Sequence, residues 1–288
     1  MRRWDDYFPP VPKTIHVSHS PDSDDAFMFY ALAEGLVETP LRYVHELSDI
    51  ESLNRRALAG ELEVSAVSIH AYAHLAERYA LLSSGCSMGD GYGPRLVSKS
   101  PRPDDPRAAL KGRRVAVPGM MTTAWLALRL YQPEVEPVVI PFDQIEDAVD
   151  QGDVEVGLLI HEGQLTFADR GFVLWEDMGE WWKRDTGLPL PLGGNVVRRD
   201  LGPEIVAQVA TDVRASVEYA LAHRGAALSH ASQYSRGLSD DRTDRFVGMY
   251  VNEWTVDYGP VGRQAVQALL DRAAEHGFVP RVDVVFAG

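Results

Sequence analysis

From Val154 to Ile160 the chain is almost wholly apolar, and it then stops at His161-Glu162-Gly163. A short apolar run closed by a glycine reads as a strand buried on both faces, as in parallel sheets. Parallel strands need long crossover connections, usually helical. This one segment therefore points to an α/β architecture. In open α/β sheets ligands gather just beyond the carboxyl ends of the strands, where His161 and Glu162 would lie. A histidine there can serve as a base near neutral pH, since its unperturbed pKa is about 6.5. It can equally well end a strand by bonding to nearby backbone.

The surrounding pattern repeats that logic twice. Strands are expected at Thr14–Ser18, Leu41–Leu47 and Glu63–Val67. Helices fall between and after them, from Asp25 to about Glu34, Asp49 through Leu58, and Ser68 to about Arg78. After a short strand near Ala80–Ser83 and the glycine-rich loop Ser84–Pro94, Arg95–Lys99 reads as an extended segment leaving this first unit. A second unit follows: a strand over Arg113–Val117, a helix over Thr123–Tyr131, a strand at Val138–Ile140, a helix from Asp143 to Asp150, and the strand that ends at His161. Two such units predict two parallel sheets covered by helices. The expected division is 1–98 with 197–288 as lobe one and 99–196 as lobe two, with a ligand cleft between them. Pro189, Pro191, Gly193 and Gly194 exclude a helix interior there, and Asn195–Arg198 is expected to cross back. From Pro203 onward the pattern is helical.

The bulk properties narrow the function. Among 288 residues, 45% are hydrophobic and the net charge is −14. That balance argues against nucleic acid and anionic membrane surfaces, which call for a basic face. It leaves room for a small anionic substrate in a local pocket. A single cysteine, Cys86, allows no internal disulfide and fits a reducing compartment. Met1-Arg2-Arg3 opens like a twin-arginine signal but no apolar region follows, and no run of about 18 apolar residues exists. A cytoplasmic location is expected. The sequence is silent on oligomeric state.

Other candidate site residues follow from the same strand-end rule. Thr122 and Thr123 open a helix after Pro118-Gly119, where free N–H groups and hydroxyls can hold an anion, although one of them can simply be an N-cap. Ser65 and Ser68 flank the end of the third strand, the corresponding place in the first unit. Asn54 shares a helical stripe with Ile50, Leu53, Ala57 and Leu58, so it faces inward and needs a partner. Asp22, Asp24 and Asp25 lack the glycine and glutamate spacing of a calcium loop, and no metal is expected.

Taken together, several segments resemble one family: Ser20-Pro21 with Asp25, Phe27, Phe29 and Tyr30-Ala31-Leu32; Asp49, Glu51 and Leu53-Asn54-Arg55; Ala116-Val117-Pro118-Gly119 with Thr122-Thr123-Ala124; Gly157-Leu158 with Ile160-His161-Glu162; and Gly187-Leu188-Pro189-Leu190-Pro191-Leu192-Gly193. The resemblance, over about residues 14–278, is to the 1,4-dihydroxy-6-naphthoate synthase family of the futalosine route to menaquinone, related to chorismate dehydratase. It implies a two-lobed fold similar to type 2 periplasmic binding proteins. It also implies a lyase that cleaves cyclic dehypoxanthine futalosine without a cofactor. His161 matches the family histidine that is thought to start the elimination as a base. Ser68, Thr122 and Thr123 match binding positions; Ser20, Asp24, Asn54, Ser65 and Glu162 complete the expected substrate-binding set.

Two departures stand out. The family's Ser-Pro-Cys-Pro-Asn-Asp appears here as Ser20-Pro21-Asp22-Ser23-Asp24-Asp25, and a family lysine appears as Ala66. An ionised Asp24 would only accept hydrogen bonds, where asparagine also donates. Two other readings stay open. One is a same-family enzyme acting on a different cyclic or chorismate-like acid. The other is a non-catalytic small-molecule binding protein.

Overall fold

The computed structural model describes residues 12–235 and 239–288. The opening arginines and the Pro-rich stretch up to residue 11 lie outside the described residues. Strands β1 (Lys13–His19), β2 (Leu41–Leu47), β3 (Val64–Ser68), β4 (Tyr79–Leu82) and β5 (Ser87–Gly89) belong to a first sheet. The chain then builds β6 (Arg95–Ser98), β7 (Arg114–Val117), β8 (Glu136–Val139), β9 (Val156–Leu159) and β10 (Val173–Asp177) into a second. It returns to the first with β11 (Leu190–Arg198) and β12 (Phe286–Ala287).

The first sheet runs β12-β4-β11-β3-β1-β2 with β5 beside β11, and the second runs β10-β6-β9-β7-β8. The expected parallel pairs form: β1 with β2 and β3, and β7 with β8 and β9. Neither sheet is wholly parallel. β6 lies antiparallel between β9 and β10, and β11 lies antiparallel between β3 and β4. Each is a strand that has just come across from the other lobe. Thus Arg95–Ser98, read from sequence as leaving lobe one, is a central strand of the second sheet. Asn195–Arg198, read as the return crossing, is the end of a nine-residue strand inside the first. Sheet membership puts the crossings between β5 and β6 and between β10 and β11, away from the expected 98/99 and 196/197. Pro191 is accommodated in β11 at a register shift between Pro191 and Gly193, where a missing N–H breaks no ladder.

Two helices hold the cleft walls. The helix Ile50–Ala59 starts where the Asp49 carboxylate accepts the Ser52 N–H at 3.0 Å. It stops at Gly60 in the left-handed region, φ 78°. The helix Thr123–Tyr131 is capped by the Thr122 hydroxyl, which accepts the Trp125 N–H at 3.2 Å. Eight of its nine residues are buried. A helix buried on nearly every side belongs inside a core, and this one, with only Arg129 reaching outward, joins both sheets into a common core with Leu53, Val67, Val115, Leu158 and Trp182. The outer face of the first sheet is covered by the helices Pro203–Ala222, Arg224–Ala231 and Asp240–Tyr250. That of the second is covered by Ile145–Gln151.

The expected helix from Ser68 to Arg78 is shorter, Ile69–Tyr72. Beyond it the N–H groups of His74, Leu75 and Arg78 reach the carbonyls three residues back, so the chain tightens into successive turns that bury Ala73 and Leu75. Among the described residues no helix is long and apolar enough to cross a membrane.

Candidate active site

The carboxyl ends of four strands, β1, β3, β7 and β9, converge on one cleft. Its wall includes Ser20, Asp22, Asp24 and Asp25 after β1, and Ala66 and Ser68 on β3. Thr122 and Thr123 follow β7, and Ile160 and His161 follow β9. This is the strand-end geometry of open α/β sheets, supplied once by each sheet.

His161 is, among the described residues, the one non-glycine residue with positive φ, at 56°. Such a conformation costs on the order of 1–3 kcal/mol and persists only where the surroundings enforce it. Here the Gln164 N–H donates to the His161 carbonyl at 3.1 Å. The buried Gln164 amide satisfies both its ends when its oxygen accepts the His161 N–H at 3.2 Å and its nitrogen donates to the Gly93 carbonyl at 2.8 Å and to the Tyr250 hydroxyl at 2.7 Å. Arg95 fixes the same loop by donating to the Gln164 carbonyl at 2.6 Å and pairing with Asp177 at 3.1 Å. The imidazole and the Phe142 ring pack edge to face, with ring centroids 4.6 Å apart.

The imidazole Nδ1 lies 3.0 Å from Oδ2 of Asp22, a nearly inaccessible carboxylate on the opposite lobe. The same oxygen accepts the Ser20 hydroxyl at 2.7 Å, and Asp25 accepts the Ser20 N–H at 2.7 Å. The acidic turn is thus an ordered cradle with the histidine as its guest. Burial and the neighbouring carboxylates of Asp25, Asp22 and Glu162 push Asp24 well above the usual carboxylate range. Burial takes Asp25 up to about 6. Both shifts favour the uncharged carboxyl, the form that can donate a hydrogen bond as well as accept one.

The remaining candidates divide. Ser20, Asp24, Ser68, Thr122 and Thr123 line the cleft with His161. Thr123 has its hydroxyl committed: it donates to the Leu192 carbonyl at 2.5 Å and accepts the His70 N–H at 3.2 Å. Ser65 is fully buried, does not line the cleft and donates to the Ala66 carbonyl at 2.8 Å. Asn54 is fully buried behind the wall. Its oxygen accepts the Ser68 N–H at 2.9 Å, and its nitrogen donates to the Ser68 hydroxyl at 3.1 Å. Glu162 turns to a separate cavity shared with Phe142 and Glu146. Sequence reasoning did not single out Asp22 as the imidazole's partner, nor Gln164, Asn195, Phe246 and Tyr250 as lining residues. Phe246 and Tyr250 do form an i, i+4 aromatic pair on one helix, a signal of burial but not of destination.

Among the described residues lining the cleft there is no lysine or arginine. Nor is there any group of three or more histidine, cysteine, aspartate or glutamate side chains placed to hold a metal ion. A ligand would meet hydroxyls, backbone groups and carboxyls.

The family model described as menaquinone biosynthesis matches residues 15–275. A 1,4-dihydroxy-6-naphthoate synthase from Thermus thermophilus is 42% identical over 92% of this chain and 96% of its own length. One from Streptomyces coelicolor is 37% identical over 93% and 95%. A crystal structure of an Archaeoglobus fulgidus protein superposes with a TM-score of 0.88 at 45% identity, covering 92% of this chain and 98% of that one. The aliphatic sulphonate binding protein of Escherichia coli, a periplasmic protein, superposes at 0.62 with 15% identity over 95% and 91%, which shows the fold. The structure is accordingly of the type 2 periplasmic-binding-protein kind, and the chain belongs to the menaquinone-biosynthesis family of 1,4-dihydroxy-6-naphthoate synthases, enzymes of that pathway.

Proposed function

We propose that the cleft converts cyclic dehypoxanthine futalosine to 1,4-dihydroxy-6-naphthoate by an elimination that His161 starts as general base. The observation that carries this is the contact between His161 Nδ1 and Asp22 Oδ2 at 3.0 Å. An Asp22 oxygen that accepts from Nδ1 holds the proton there, so the lone pair sits on Nε2 and the imidazole is in the tautomer that accepts a proton. Its carboxylate also stabilises the imidazolium that forms. Removal of a proton from carbon leaves an electron pair that expels the sugar-derived fragment, and aromatisation of the ring system drives the step. A positioned base of this kind contributes roughly 10²–10⁴-fold. Ser68, whose hydroxyl accepts from Asn54 and keeps its own proton to donate, is the side chain best placed to hold the substrate's carboxylate or hydroxyls. The Thr122 hydroxyl already accepts the Trp125 N–H and donates to the Gly119 carbonyl at 2.9 Å. The same reading puts the reaction in the cytoplasm, with the buried, unpaired Cys86 in support.

The test is turnover of cyclic dehypoxanthine futalosine by the purified protein, followed by absorbance and mass, with His161→Ala beside it. Wild-type turnover with a loss of at least a hundredfold in the variant is the expected result. Turnover that survives the substitution overturns the assignment of the base. A second reading, a related cyclic or chorismate-like acid as substrate, is favoured by Asp24 and Ala66, which both face the cleft. Tight binding of the futalosine compound without turnover would support it.

A further inference from the structure

Glu51 and Asn54 lie one turn apart on the helix Ile50–Ala59 of the first lobe, and both reach the same residue of the second. Glu51 Oε2 accepts the Met121 N–H at 3.2 Å, and Asn54 Nδ2 donates to the Met121 carbonyl at 3.4 Å. Both polar groups of one residue's backbone are therefore held by a single helix across the lobe boundary. Asn54 also holds Ser68 by its N–H and its hydroxyl. Met121 immediately precedes Thr122 and Thr123, so the helix touches both hydroxyl-bearing walls of the cleft. The approach of Glu51 requires a glycine opposite, because a Cβ on Gly119 would fall on the Glu51 carboxylate. The two walls belong to different sheets, and the ties from Glu51 and Asn54 act beside those that His70 makes to Thr122 and Thr123.

We infer that the helix Ile50–Ala59 acts as a spacer across the cleft, with Glu51 and Asn54 as positioning residues that set the distance between the Ser68 wall and the Thr122–Thr123 wall. The inference rests on the reading of this cleft as the active site. Neither residue lines the cleft, so their effect on the reaction passes through the groups they hold. A misplacement of one wall lowers the fraction of bound substrate that meets the base correctly, so kcat falls as well as the affinity.

Four proteins carry the test: Glu51→Ala, Glu51→Gln, Gly119→Ala and the double variant Glu51→Ala with Gly119→Ala. The readouts are kcat and KM on cyclic dehypoxanthine futalosine and hydrogen exchange at the Met121 amide. Glu51→Ala is expected to lower kcat/KM roughly tenfold or more, with part of the loss in kcat, and to speed Met121 exchange. Glu51→Gln keeps a carbonyl oxygen to accept the same N–H and is expected to stay within about threefold of wild type. Gly119→Ala pushes the Glu51 carboxylate aside, so it should resemble Glu51→Ala. The double variant should then be no worse than the poorer single. The inference is overturned if Glu51→Ala leaves kcat/KM within twofold, if Glu51→Gln is as impaired as Glu51→Ala, or if the two single losses multiply in the double variant. Wild type that fails to turn over sinks the proposed reaction instead, and unchanged Met121 exchange in Glu51→Ala would then still overturn the spacer.

Discussion

Asp22 meets His161 from across the cleft, so the tautomer of the proposed base depends on a residue 139 positions away in the chain. Replacing Asp22 by Asn keeps the size but removes the acceptor charge and allows the amide to donate to Nδ1. The histidine then carries its proton on Nε2, the wrong nitrogen for a base. We expect Asp22→Asn to lower kcat by roughly a hundredfold while thermal unfolding shifts by only a few degrees. A kcat within threefold of wild type would remove Asp22 from the mechanism. At this scale the sequence was informative where a rule of position applies. The places of His161, Thr122 and Ser68 on the cleft wall were legible because they lie at or just beyond strand ends, which are readable from apolar runs. Asp22, Gln164 and Tyr250 were not, because their roles come from tertiary contacts between segments that no local pattern relates. Asn54 was legible as an inward-facing polar residue in need of a partner, and the partner is Ser68 with Met121 behind the wall.

Secondary-structure elements show the same division between local and distant causes. Helices with a cap and a glycine stop, such as Ile50–Ala59, fall within a residue or two of their expected bounds. So do the parallel strands β2 and β7. The direction of β6 and β11 was not legible, because an extended segment carries no sign of which neighbour it will pair with, and both pair antiparallel after a lobe crossing. The helix Met178–Thr186 was not legible, since Asp177 starts it through N–H bonds at 2.9 and 3.2 Å that sequence alone only hints at. That helix is pinned to the chain crossing. The Met178 N–H donates to the Pro94 carbonyl at 2.9 Å, and a Cβ on Gly179 would collide with the Tyr92 carbonyl. The obstacle is backbone, which cannot swing away as a side chain does. Gly179→Ala should therefore lower the free energy of unfolding by about 2–3 kcal/mol, read as a lower urea midpoint at unchanged slope. A midpoint equal to wild type would mean that the crossing is not held against this helix.

Over the whole molecule, two lobes were legible because the β-α-β pattern recurs, whereas the shared core through Thr123–Tyr131 was not, since an apolar helix does not reveal how many sheets it serves. The same packing sets how the fold responds to acid. Burial holds His19 down at about 3 and His45 and His70 at about 4, so the folded protein refuses protons that the unfolded chain takes up near 6.5. Their contribution to stability is complete above pH 6.5 and is lost as pH falls toward 4, at about 1.4 kcal/mol per pH unit for each site. Buried carboxyls act in the opposite sense. Asp25 and Asp177, raised to about 6, take up protons on folding, so the folded state gains as pH falls from about 6 toward 4 and loses that gain as pH rises through 6. The two sets offset below pH 6, and the wild-type profile alone does not separate them. His70→Asn does, because it removes one acid-labile site while an amide can still donate to the Thr122 carbonyl that His70 Nδ1 faces at 3.2 Å. Between pH 6.5 and 4.5 the variant should lose on the order of 2 kcal/mol less stability than wild type, measured by urea unfolding at each pH. Parallel profiles would show that His70 is protonated in the folded state over that range, which its burial between the two lobes opposes.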